Sequence, residues 1–280
     1  MRTDTLYLSD LDWTLLGPDA ALTPDQARRI NRMTARGVKI TFATARTVRS
    51  VGTILEEIDF TNPGAAPVAL MNGTMIRDMA AGVYTAYETI PPASAEAVLR
   101  ILWDCGGEPF VYTVDPGRPV DGDPLMTSYR RLANDAMVRF HAERVRKYGK
   151  PFARFRDPED LGGETVYFCV LDGEAAIRRM EAGLAEVPGV RLTAYPDAYE
   201  RGLWYLEIFP ETASKRHAVE FLRRHTGCSR VVAFGDNRND LPMFEAADLA
   251  VAVSNASEEV RRAADDVTDD VVGWIERIKN

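Results

Sequence analysis

The stretch that decides the fold is Gly235-Asp236-Asn237-Arg238-Asn239-Asp240, which follows the apolar run Val231 to Phe234. A second acidic stretch, Asp10-Leu11-Asp12-Trp13-Thr14, follows the apolar run Leu6 to Leu8. Short runs of β-branched and aromatic residues are typical of buried parallel strands, so each acidic stretch lies where a strand ends and its loop begins. Ligands bind at that edge of open α/β sheets. The sequence therefore predicts that the two acidic stretches meet at one site.

Length and composition permit a two-domain globular enzyme. The chain has 280 residues, of which 46% are apolar, and a formal net charge of −8. An acidic chain is a poor match for nucleic acid or an anionic membrane, because a surface that follows phosphates needs clustered positive charge. It can still bind a phosphate ester if a metal ion, a lysine or helix N-termini supply positive charge locally. We expect neither nucleic acid nor a membrane as a partner.

The cysteines give no sign of a metal knuckle or a disulfide framework. Cys105, Cys169 and Cys228 are far apart in sequence, and none belongs to a C-x-x-C pair. The N-terminus lacks the features of a signal peptide, and no run approaches the ~20 apolar residues of a membrane span. The expected compartment is the reducing cytoplasm.

The first part of the chain alternates strands and helices. Apolar runs predict strands at residues 5–9, 38–43 and 68–71, and the intervening segments are helical in pattern. Thr23-Pro24-Asp25-Gln26 is a helix start, with Thr23 as N-cap and Gln26 completing a capping box. Gly37 ends that helix, and a second helix is predicted from about residue 44 to residue 55. This order predicts a parallel sheet.

The pattern changes after residue 71. A hairpin is predicted at residues 75–77 and 83–87. Beyond it, strands are predicted at about 109–114, 165–171 and 191–195, and helices at about 94–105, 125–136 and 175–186. The α/β order returns at residues 203–209. We therefore predict an α/β fold: a Rossmann-like parallel-sheet core formed by residues 1–87 and 193–280, with an α+β domain inserted at residues 88–192.

The acidic stretches themselves indicate a cation. Carboxylates that converge at strand ends repel one another, each close pair by ~1 to 4 kcal/mol at 4 Å. A hard dication relieves this repulsion. Oxygen ligands with no histidine or cysteine nearby fit Mg²⁺, which binds one or two carboxylates together with substrate phosphate. The expected cofactor is therefore Mg²⁺.

Four motifs occur in a fixed order: Asp10-x-Asp12-x-Thr14 after the first strand, Thr44 after the second, Lys215 at a helix start, and Gly235-Asp236-x-x-Asn239-Asp240 after a late strand. With these motifs the chain resembles the haloacid dehalogenase (HAD) superfamily. Its layout is similar to that of the Cof-type phosphatases, in which a large α/β cap is inserted between the second and third motifs. The resemblance spans nearly the whole chain.

Two positions depart from the family pattern. Trp13 stands where the family usually has glycine, and Ala45 stands where the second motif usually reads Thr-Gly-Arg. Trp13 puts the conformation of its loop in question, because glycine tolerates a positive φ and tryptophan rarely does. Its side chain could narrow the pocket, stack on a ring, or pack as ordinary apolar surface.

The resemblance implies a role for each motif residue. Asp10 would be the nucleophile that forms an aspartyl phosphate, and Asp12 would protonate the leaving group and then activate water. Thr44 and Lys215 would hold phosphoryl oxygens. The metal ligands would be Asp10, the backbone carbonyl of Asp12, and Asp236, with Asn239 and Asp240 positioning ligands or waters. The other positions expected at the phosphate or substrate are Leu11, Arg46, Asn72, Gly73 and Asn239.

The resulting hypothesis is a Mg²⁺-dependent phosphatase that acts on a small phosphorylated metabolite, such as a sugar phosphate or a phosphorylated cofactor precursor. A large cap would admit small substrates and exclude folded phosphoproteins. Three alternatives stay open: a phosphomutase, a phospho-aspartate switch like the receiver domains, and a catalytically silent binding protein. Asp12 and the inserted domain argue against the switch, and the intact acidic set argues against the silent protein.

One segment runs against the overall charge. Residues 130–156 contain nine basic and two acidic residues, a net charge of +7. This segment could attract polyanionic substrates. The simpler interpretation, which we favour, is a solvated helical face.

Overall fold

A computed structural model describes residues 4–197 and 200–278. Its strands are β1 (Thr5–Ser9), β2 (Lys39–Phe42), β3 (Val68–Leu70), β4 (Met75–Asp78), β5 (Val83–Tyr87), β6 (Pro109–Val114), β7 (Leu125–Tyr129), β8 (Phe152–Arg154), β9 (Glu164–Gly173), β10 (Val190–Pro196), β11 (Leu203–Pro210), β12 (Arg230–Gly235), β13 (Leu249–Val253) and β14 (Asp266–Thr268). Its α-helices are α1 (Pro24–Ala35), α2 (Val48–Ile54), α3 (Pro92–Asp104), α4 (Asp135–Tyr148), α5 (Glu174–Leu184), α6 (Lys215–Thr226), α7 (Leu241–Ala246), α8 (Glu258–Ala263) and α9 (Val271–Ile278). Two compact units result, one made of the chain up to Tyr87 and from Ala213 onward, the other running from Glu88 to Thr212.

The main sheet of the first unit is parallel and has the order β14-β13-β12-β1-β2. Strands β1 and β12 lie inside this sheet, which accounts for their nearly continuous apolar sequences. They pair so that Ser9 lies opposite Phe234. Their carboxyl ends are therefore neighbours, although they come from opposite ends of the chain. The predicted α/β fold with a parallel-sheet core is confirmed.

Helix α1 begins where its sequence predicts. The Thr23 hydroxyl accepts a hydrogen bond from the Gln26 amide at 3.2 Å, and the Gln26 side chain accepts one from the Thr23 amide at 3.0 Å. This capping box satisfies two backbone donors that the first helical turn leaves free. The Gln26 side-chain amide also donates to the Leu15 carbonyl at 2.9 Å. The same cap therefore anchors the loop that follows β1.

Helix α2 begins later than predicted, at Val48, with Thr47 as its N-cap residue. The preceding loop is bound to the loop after β3 by backbone hydrogen bonds. The Thr44 amide donates to Ala69, and the Asn72 amide donates to the Thr44 carbonyl at 2.9 Å. Because these backbone groups serve the neighbouring loop, they are not available for a helical turn.

A small antiparallel sheet with the order β3-β4-β5 completes the first unit. Strands β4 and β5 form the predicted hairpin. Strand β3 also meets the main sheet through an isolated parallel bridge between Ala43 and Ala69. This bridge keeps the loops after β2 and β3 side by side.

The second unit contains a six-stranded sheet with the order β10-β11-β9-β6-β7-β8, antiparallel except between β7 and β8. Helices α3 and α5 pack against one another and, together with side chains of the sheet, enclose an apolar core. The buried residues of that core include Leu102, Phe155, Phe168, Met180 and Ile208.

The predicted domain boundary at residue 193 needs correction. Residues 203–209, expected to return to the first domain, form β11, which pairs with β10 and β9. Leu206 and Ile208 of β11 belong to the core of the second unit. The second unit therefore extends to Thr212. An apolar run has the same appearance in either sheet, so its pattern could not indicate which sheet it joins.

The helix predicted at residues 125–136 is also wrong, except for its last two residues. Residues Leu125–Tyr129 form β7, and Tyr112 of β6 lies opposite Thr127. Helix α4 starts only at Asp135, where the Asn134 side chain accepts a hydrogen bond from the Met137 amide at 2.9 Å. The pairing with β6, a contact distant in sequence, overrides the local pattern.

The basic segment 130–156 has acidic partners within its own unit. Arg130 and Arg131 both bind the buried carboxylate of Glu108. Arg139 forms an ion pair with Glu200. Acidic residues outside the segment therefore offset part of its positive charge.

Among the helices within residues 4–197 and 200–278, none has both the length and the apolar character that a membrane span requires.

Candidate active site

Asp10 directly follows β1 and is 6% exposed. Its backbone amide donates to the Phe234 carbonyl at 2.9 Å, which extends the pairing of β1 with β12 by one residue. Its Oδ1 accepts a hydrogen bond from Nζ of Lys215 at 2.5 Å. Burial raises the pKa of Asp10 to about 8; Lys215 opposes this shift and Asp240 adds to it. The carboxyl group is therefore held in a fixed orientation, is shielded from water and lies close to several other charged groups.

Lys215 is the first residue of α6, and its ammonium group is completely buried between two carboxylates. Nζ lies 2.5 Å from Oδ1 of Asp10 and 2.6 Å from Oδ1 of Asp240. Burial alone would lower the pKa of Lys215, but the attraction of Asp10 and Asp240 raises it above its ordinary value. Lys215 therefore remains a cation throughout the physiological pH range.

Asp240 organises the loop after β12. Its Oδ2 accepts hydrogen bonds from the backbone amides of Asp236 at 2.9 Å and Asn237 at 3.1 Å, while its Oδ1 binds Lys215. The residue is fully buried. Because both of its oxygens already have partners, Asp240 fixes the loop and the lysine.

Gly235 makes that arrangement possible. A Cβ atom on Gly235 would lie 2.6 Å from Cβ of Asp240 and 2.7 Å from Oδ2 of Asp240. Real Cβ atoms do not approach other atoms so closely. The glycine of this motif is therefore required for packing, since the Asp240 carboxylate occupies the space where a side chain would begin.

We expect Gly235→Ala to lower the free energy of unfolding by about 1–3 kcal/mol, because the new methyl group overpacks a buried site. Urea denaturation measures this change. Gly52→Ala is the matched control, since Gly52 lies on an exposed face of α2 with open space around it. The control is expected to stabilise the protein by about 0.4–1 kcal/mol. Equal effects of the two substitutions would contradict the packing argument.

Asp236 faces Asp10 from the end of β12. Its Oδ1 accepts a hydrogen bond from the Thr14 hydroxyl at 2.8 Å, so the loop after β1 is bound to the loop after β12. Burial raises the pKa of Asp236 to about 6; the Thr14 hydrogen bond opposes that shift, and Asp240 adds to it. Asp236 is thus a second carboxyl group whose ionised form is disfavoured in the metal-free protein.

The residues of this cluster fit a metal ion. One carboxylate oxygen from each of Asp10, Asp236 and Asp240 lies within 4.8 Å of the others. Three carboxylates and the Lys215 ammonium give a formal charge of −2 in a largely buried place. Oδ2 of Asp10 and Oδ2 of Asp236 accept no hydrogen bond from the described part of the chain. The free oxygens and the uncompensated charge are what a hard cation requires.

Asp12 lies outside the carboxylate cluster, although it is only two residues from Asp10. Its two carboxylate oxygens accept hydrogen bonds from Nε of Arg46 at 2.7 Å and from Nη2 at 2.5 Å. Nη1 of Arg46 donates to the Ser50 hydroxyl at 2.9 Å. The Asp12 side chain is therefore held on the Arg46 side of the loop by a two-pronged ion pair.

Thr44 is fully buried, and its hydroxyl accepts a hydrogen bond from the Arg46 amide at 3.2 Å. This bond leaves the hydroxyl proton free to be donated. In the next loop, Met71, Asn72 and Gly73 all have positive φ angles, a conformation that asparagine and glycine tolerate but that is unfavourable for Met71. The Asn72 side chain accepts a hydrogen bond from Asn239 at 3.3 Å. Strained backbone of this kind concentrates at functional sites.

Gly73 brings that loop against the start of α6. A Cβ atom on Gly73 would lie 2.1 Å from the Ser214 carbonyl oxygen, so only glycine fits here. Lys215 follows Ser214 directly. The loop containing Asn72 and Gly73 is therefore packed against the backbone that presents the buried lysine.

The predicted residues divide into those that the structure brings together and those that it separates. Asp10, Lys215, Asp236 and Asp240 form one cluster. Asn72 and Asn239 contact each other, and Asp12 contacts Arg46. The side chain of Leu11 is completely buried in the core, so only its backbone amide could serve a phosphate.

Two contributors were not among the predicted site residues. Ser50 binds Arg46, which lies before the first residue of α2, so the spacing of side chains on a helical face could not have indicated this contact. Thr14 is part of the first motif, but its bond to Asp236 joins two loops that are distant in sequence. No local signal in the sequence identifies the partner of that hydroxyl.

Known proteins resemble this chain over most of its length. A profile for haloacid dehalogenase-like hydrolases matches residues 7–272. The HMP-PP phosphatase of Cronobacter sakazakii is 27% identical over 254 residues, which cover 90% of this chain and 84% of that protein. The 5-amino-6-(5-phospho-D-ribitylamino)uracil phosphatase YwtE of Bacillus subtilis is 26% identical over 274 residues, which cover 92% and 91%.

A solved structure agrees in fold. The crystal structure of a haloacid dehalogenase-like hydrolase from Bacteroides thetaiotaomicron matches with a TM-score of 0.76 at 20% identity, covering 98% of this chain and 99% of that one. The resemblance predicted from the four motifs is thereby confirmed. Because the family profile spans nearly the whole sequence, the chain belongs to the haloacid dehalogenase-like hydrolase family and is a hydrolase of phosphate esters.

Proposed function

We propose that this protein is a Mg²⁺-dependent phosphatase that hydrolyses a small phosphorylated metabolite through an aspartyl phosphate on Asp10. The observation that carries the proposal is the buried cluster in which Asp10 and Asp240 flank Lys215 and Asp236 lies alongside. Such a cluster combines an oriented carboxylate nucleophile, a buried cation and an excess of negative charge. Phosphoryl transfer through an aspartyl phosphate would use the first two, and a bound dication would balance the third.

Asp10 is suited to nucleophilic attack. Lys215 holds its Oδ1, which orients the carboxylate and leaves Oδ2 free of hydrogen bonds from the described residues. Attack by one carboxylate oxygen of Asp10 on phosphorus would form the new P–O bond while the bond to the leaving oxygen breaks, and the electron pair would leave with that oxygen. This route divides hydrolysis into the formation and the breakdown of a covalent phosphoenzyme.

Asp12 is the proposed proton donor and, in the second step, the base. It would protonate the leaving oxygen and then take a proton from the water that attacks the phosphoenzyme, releasing phosphate and freeing Asp10. Both of its oxygens are bound to Arg46, so at least one must be released before a proton can be transferred. Arg46 therefore restrains Asp12, and we also propose it, as the family resemblance implies, at the phosphate or substrate.

We propose that Lys215 and Thr44 bind the phosphoryl oxygens and stabilise their negative charge. The Lys215 ammonium is desolvated, so its attraction for an anion exceeds that of an exposed lysine. The Thr44 hydroxyl has a proton to donate, because its oxygen accepts from the Arg46 amide. Leu11, Asn72, Gly73 and Asn239 are proposed at the edge of the phosphate site.

The residues proposed to hold Mg²⁺ are Asp10, Asp236 and the backbone carbonyl of Asp12, with Asn239 and Asp240 supporting them. Bound there, Mg²⁺ would neutralise charge on the phosphoryl group and on the cluster. An all-oxygen donor set favours Mg²⁺ over softer metals.

The substrate class follows from the relatives. One is named for HMP-PP and another for a phosphorylated ribitylaminouracil. Both names describe small phosphorylated molecules. We therefore propose small phosphorylated metabolites as substrates, including sugar phosphates and phosphorylated cofactor precursors.

The test is phosphate release from a panel of phosphorylated metabolites. With Mg²⁺ we expect steady turnover of at least one of them, and removal of the metal with EDTA should lower the rate by more than about 10²-fold. Added Mg²⁺ should restore it. Undiminished turnover in EDTA would contradict the metal assignment. Conversion of a sugar phosphate into its isomer, without free phosphate, would indicate a phosphomutase instead.

A further inference from the structure

We propose that Trp13 is a specificity residue whose indole ring stacks on a planar ring in the leaving group of the substrate. This inference rests on the proposed phosphatase function and adds a substrate class to it, namely phosphate esters that carry an aromatic or heteroaromatic ring. Four observations support it: the exposure of Trp13, its backbone conformation, the anchoring of its loop and its position beside Asp12.

Trp13 gains little from burial. Its side chain is 47% exposed, whereas Trp274, which packs against Phe234, is 4% exposed. Tryptophan contributes to stability mainly through the apolar area that it buries. A half-exposed indole at this position is therefore poorly explained as a packing residue.

The backbone at Trp13 is unfavourable for so large a side chain. Its φ is 61° and its ψ is 0°, in the left-handed region where glycine is at ease and bulky residues are not. Glycine could adopt this conformation without strain. The position therefore holds a bulky residue where local stability favours glycine, and strain of this kind marks functional positions.

The loop around Trp13 is fixed on both sides. The Trp13 carbonyl accepts a hydrogen bond from the Asn255 side chain at 2.9 Å. Thr14 is bound to Asp236, and Asp12 is bound to Arg46. The backbone of Trp13 is thus anchored, so the loop does not have to be ordered when a ligand binds.

Position and chemistry together define the ligand. Trp13 directly follows Asp12, the proposed donor of a proton to the leaving oxygen, so the side chain belongs to the leaving-group side of the reaction. An indole face interacts best with another flat π-system. The indole ring carries no charge and only one hydrogen-bond donor, so it would not select a polyol over an aromatic ring.

The experiment compares two esters that differ in planarity. Benzyl phosphate and cyclohexylmethyl phosphate are similar in size, and both leave as primary alcohols, so the chemical step differs little. We expect kcat/KM of the native protein to favour benzyl phosphate by roughly 3- to 10-fold. The preference should disappear in Trp13→Leu and in Trp13→Gly, and Trp13→Phe should retain most of it.

Thermal unfolding separates this role from a structural one. We expect Trp13→Gly to keep the melting temperature within about 4 °C of the native value, because the lost ring is half exposed and glycine suits the backbone. Because both Trp13→Gly and Trp13→Leu are measured, a folding defect in one of them leaves the other variant to test the inference. Loss of the fold in both, or an unchanged preference in either folded variant, would overturn the inference.

A binding measurement keeps this test independent of turnover. Benzylphosphonate and cyclohexylmethylphosphonate cannot be hydrolysed, and calorimetry gives their dissociation constants for the Mg²⁺-loaded protein. If neither ester is turned over but the aromatic phosphonate binds more tightly in a Trp13-dependent way, the proposed activity fails and the inference stands. Equal affinities for the two phosphonates, or binding of neither, would overturn the inference whether or not the esters are hydrolysed.

Discussion

Asp10→Asn is expected to lower the rate of phosphate release by more than about 10⁴-fold, since removal of a covalent nucleophile leaves only binding and charge stabilisation. Asparagine has nearly the same shape but lacks the anionic oxygen that would form the bond to phosphorus. Release of inorganic phosphate under saturating substrate and Mg²⁺ measures the effect. The residual rate also serves as the background for the metabolite panel.

Asp104→Asn is the matched control, because Asp104 is an exposed residue at the end of α3 in the other unit and undergoes the same change of charge. It should leave turnover unchanged. Mass spectrometry of quenched reactions should show one phosphoryl group on the native protein and none on Asp10→Asn. Stoichiometric phosphorylation of Asp10 without turnover would identify a switch rather than an enzyme, and full activity of Asp10→Asn would refute the covalent route.

Lys215→Met is expected to lower the free energy of unfolding of the metal-free protein by about 3–5 kcal/mol at neutral pH, because it removes one partner of a buried ion pair. Methionine is also unbranched and is only one heavy atom shorter than lysine, so the change mainly removes the charged group. Asp10 and Asp240 would then face each other without the ammonium group that now lies between them. Urea denaturation in EDTA measures the loss.

The pH dependence of that stability has a defined direction. Burial raises the pKa of Asp10 to about 8 in the folded protein, against an ordinary value of 3.8. The folded state therefore binds more protons than the unfolded state between about pH 4 and pH 8. The free energy of unfolding of the metal-free protein should fall as the pH rises through this window. Lys215→Met should extend the fall to higher pH, because the pKa of Asp10 rises further once the lysine that lowers it is removed.

Mg²⁺ should recover part of the stability lost in Lys215→Met, since a bound cation replaces some of the missing positive charge. Lys147→Met provides the control, because Lys147 is exposed on α4. We expect it to change the free energy of unfolding by no more than about 0.5 kcal/mol. Equal stability losses in the two variants would show that the buried pair does not stabilise the metal-free cluster.

The fold could be predicted where short-range physics decides it. The strand before Asp10, the capping box at Thr23 and the hairpin at residues 75–87 each depend on residues a few positions apart, and the structure agrees with all three. Strand β11 could not be assigned in this way. Its apolar residues would suit either sheet, and only the pairing with β9 and β10 decides between them.

The candidate site shows the same division. Position in the chain was enough to place Asp10 and Asp236 at neighbouring strand ends, because parallel strands direct their carboxyl ends to one edge. It was not enough to show that Arg46 would bind Asp12, or that Asp240 would have both of its oxygens occupied. Those contacts depend on side-chain directions in loops that belong to different strands.

The family, the parallel-sheet core and the acidic stretches could be predicted from residue types and their order along the chain. Which carboxylate oxygens are free and which are bound, and why residue 235 must be glycine, became known from the folded structure. The folded structure also decided that Lys215 is buried between two of these groups. Burial and charge interactions act between groups that are close in space and distant in the chain, so the electrostatics of the cluster come into existence only when the strands assemble.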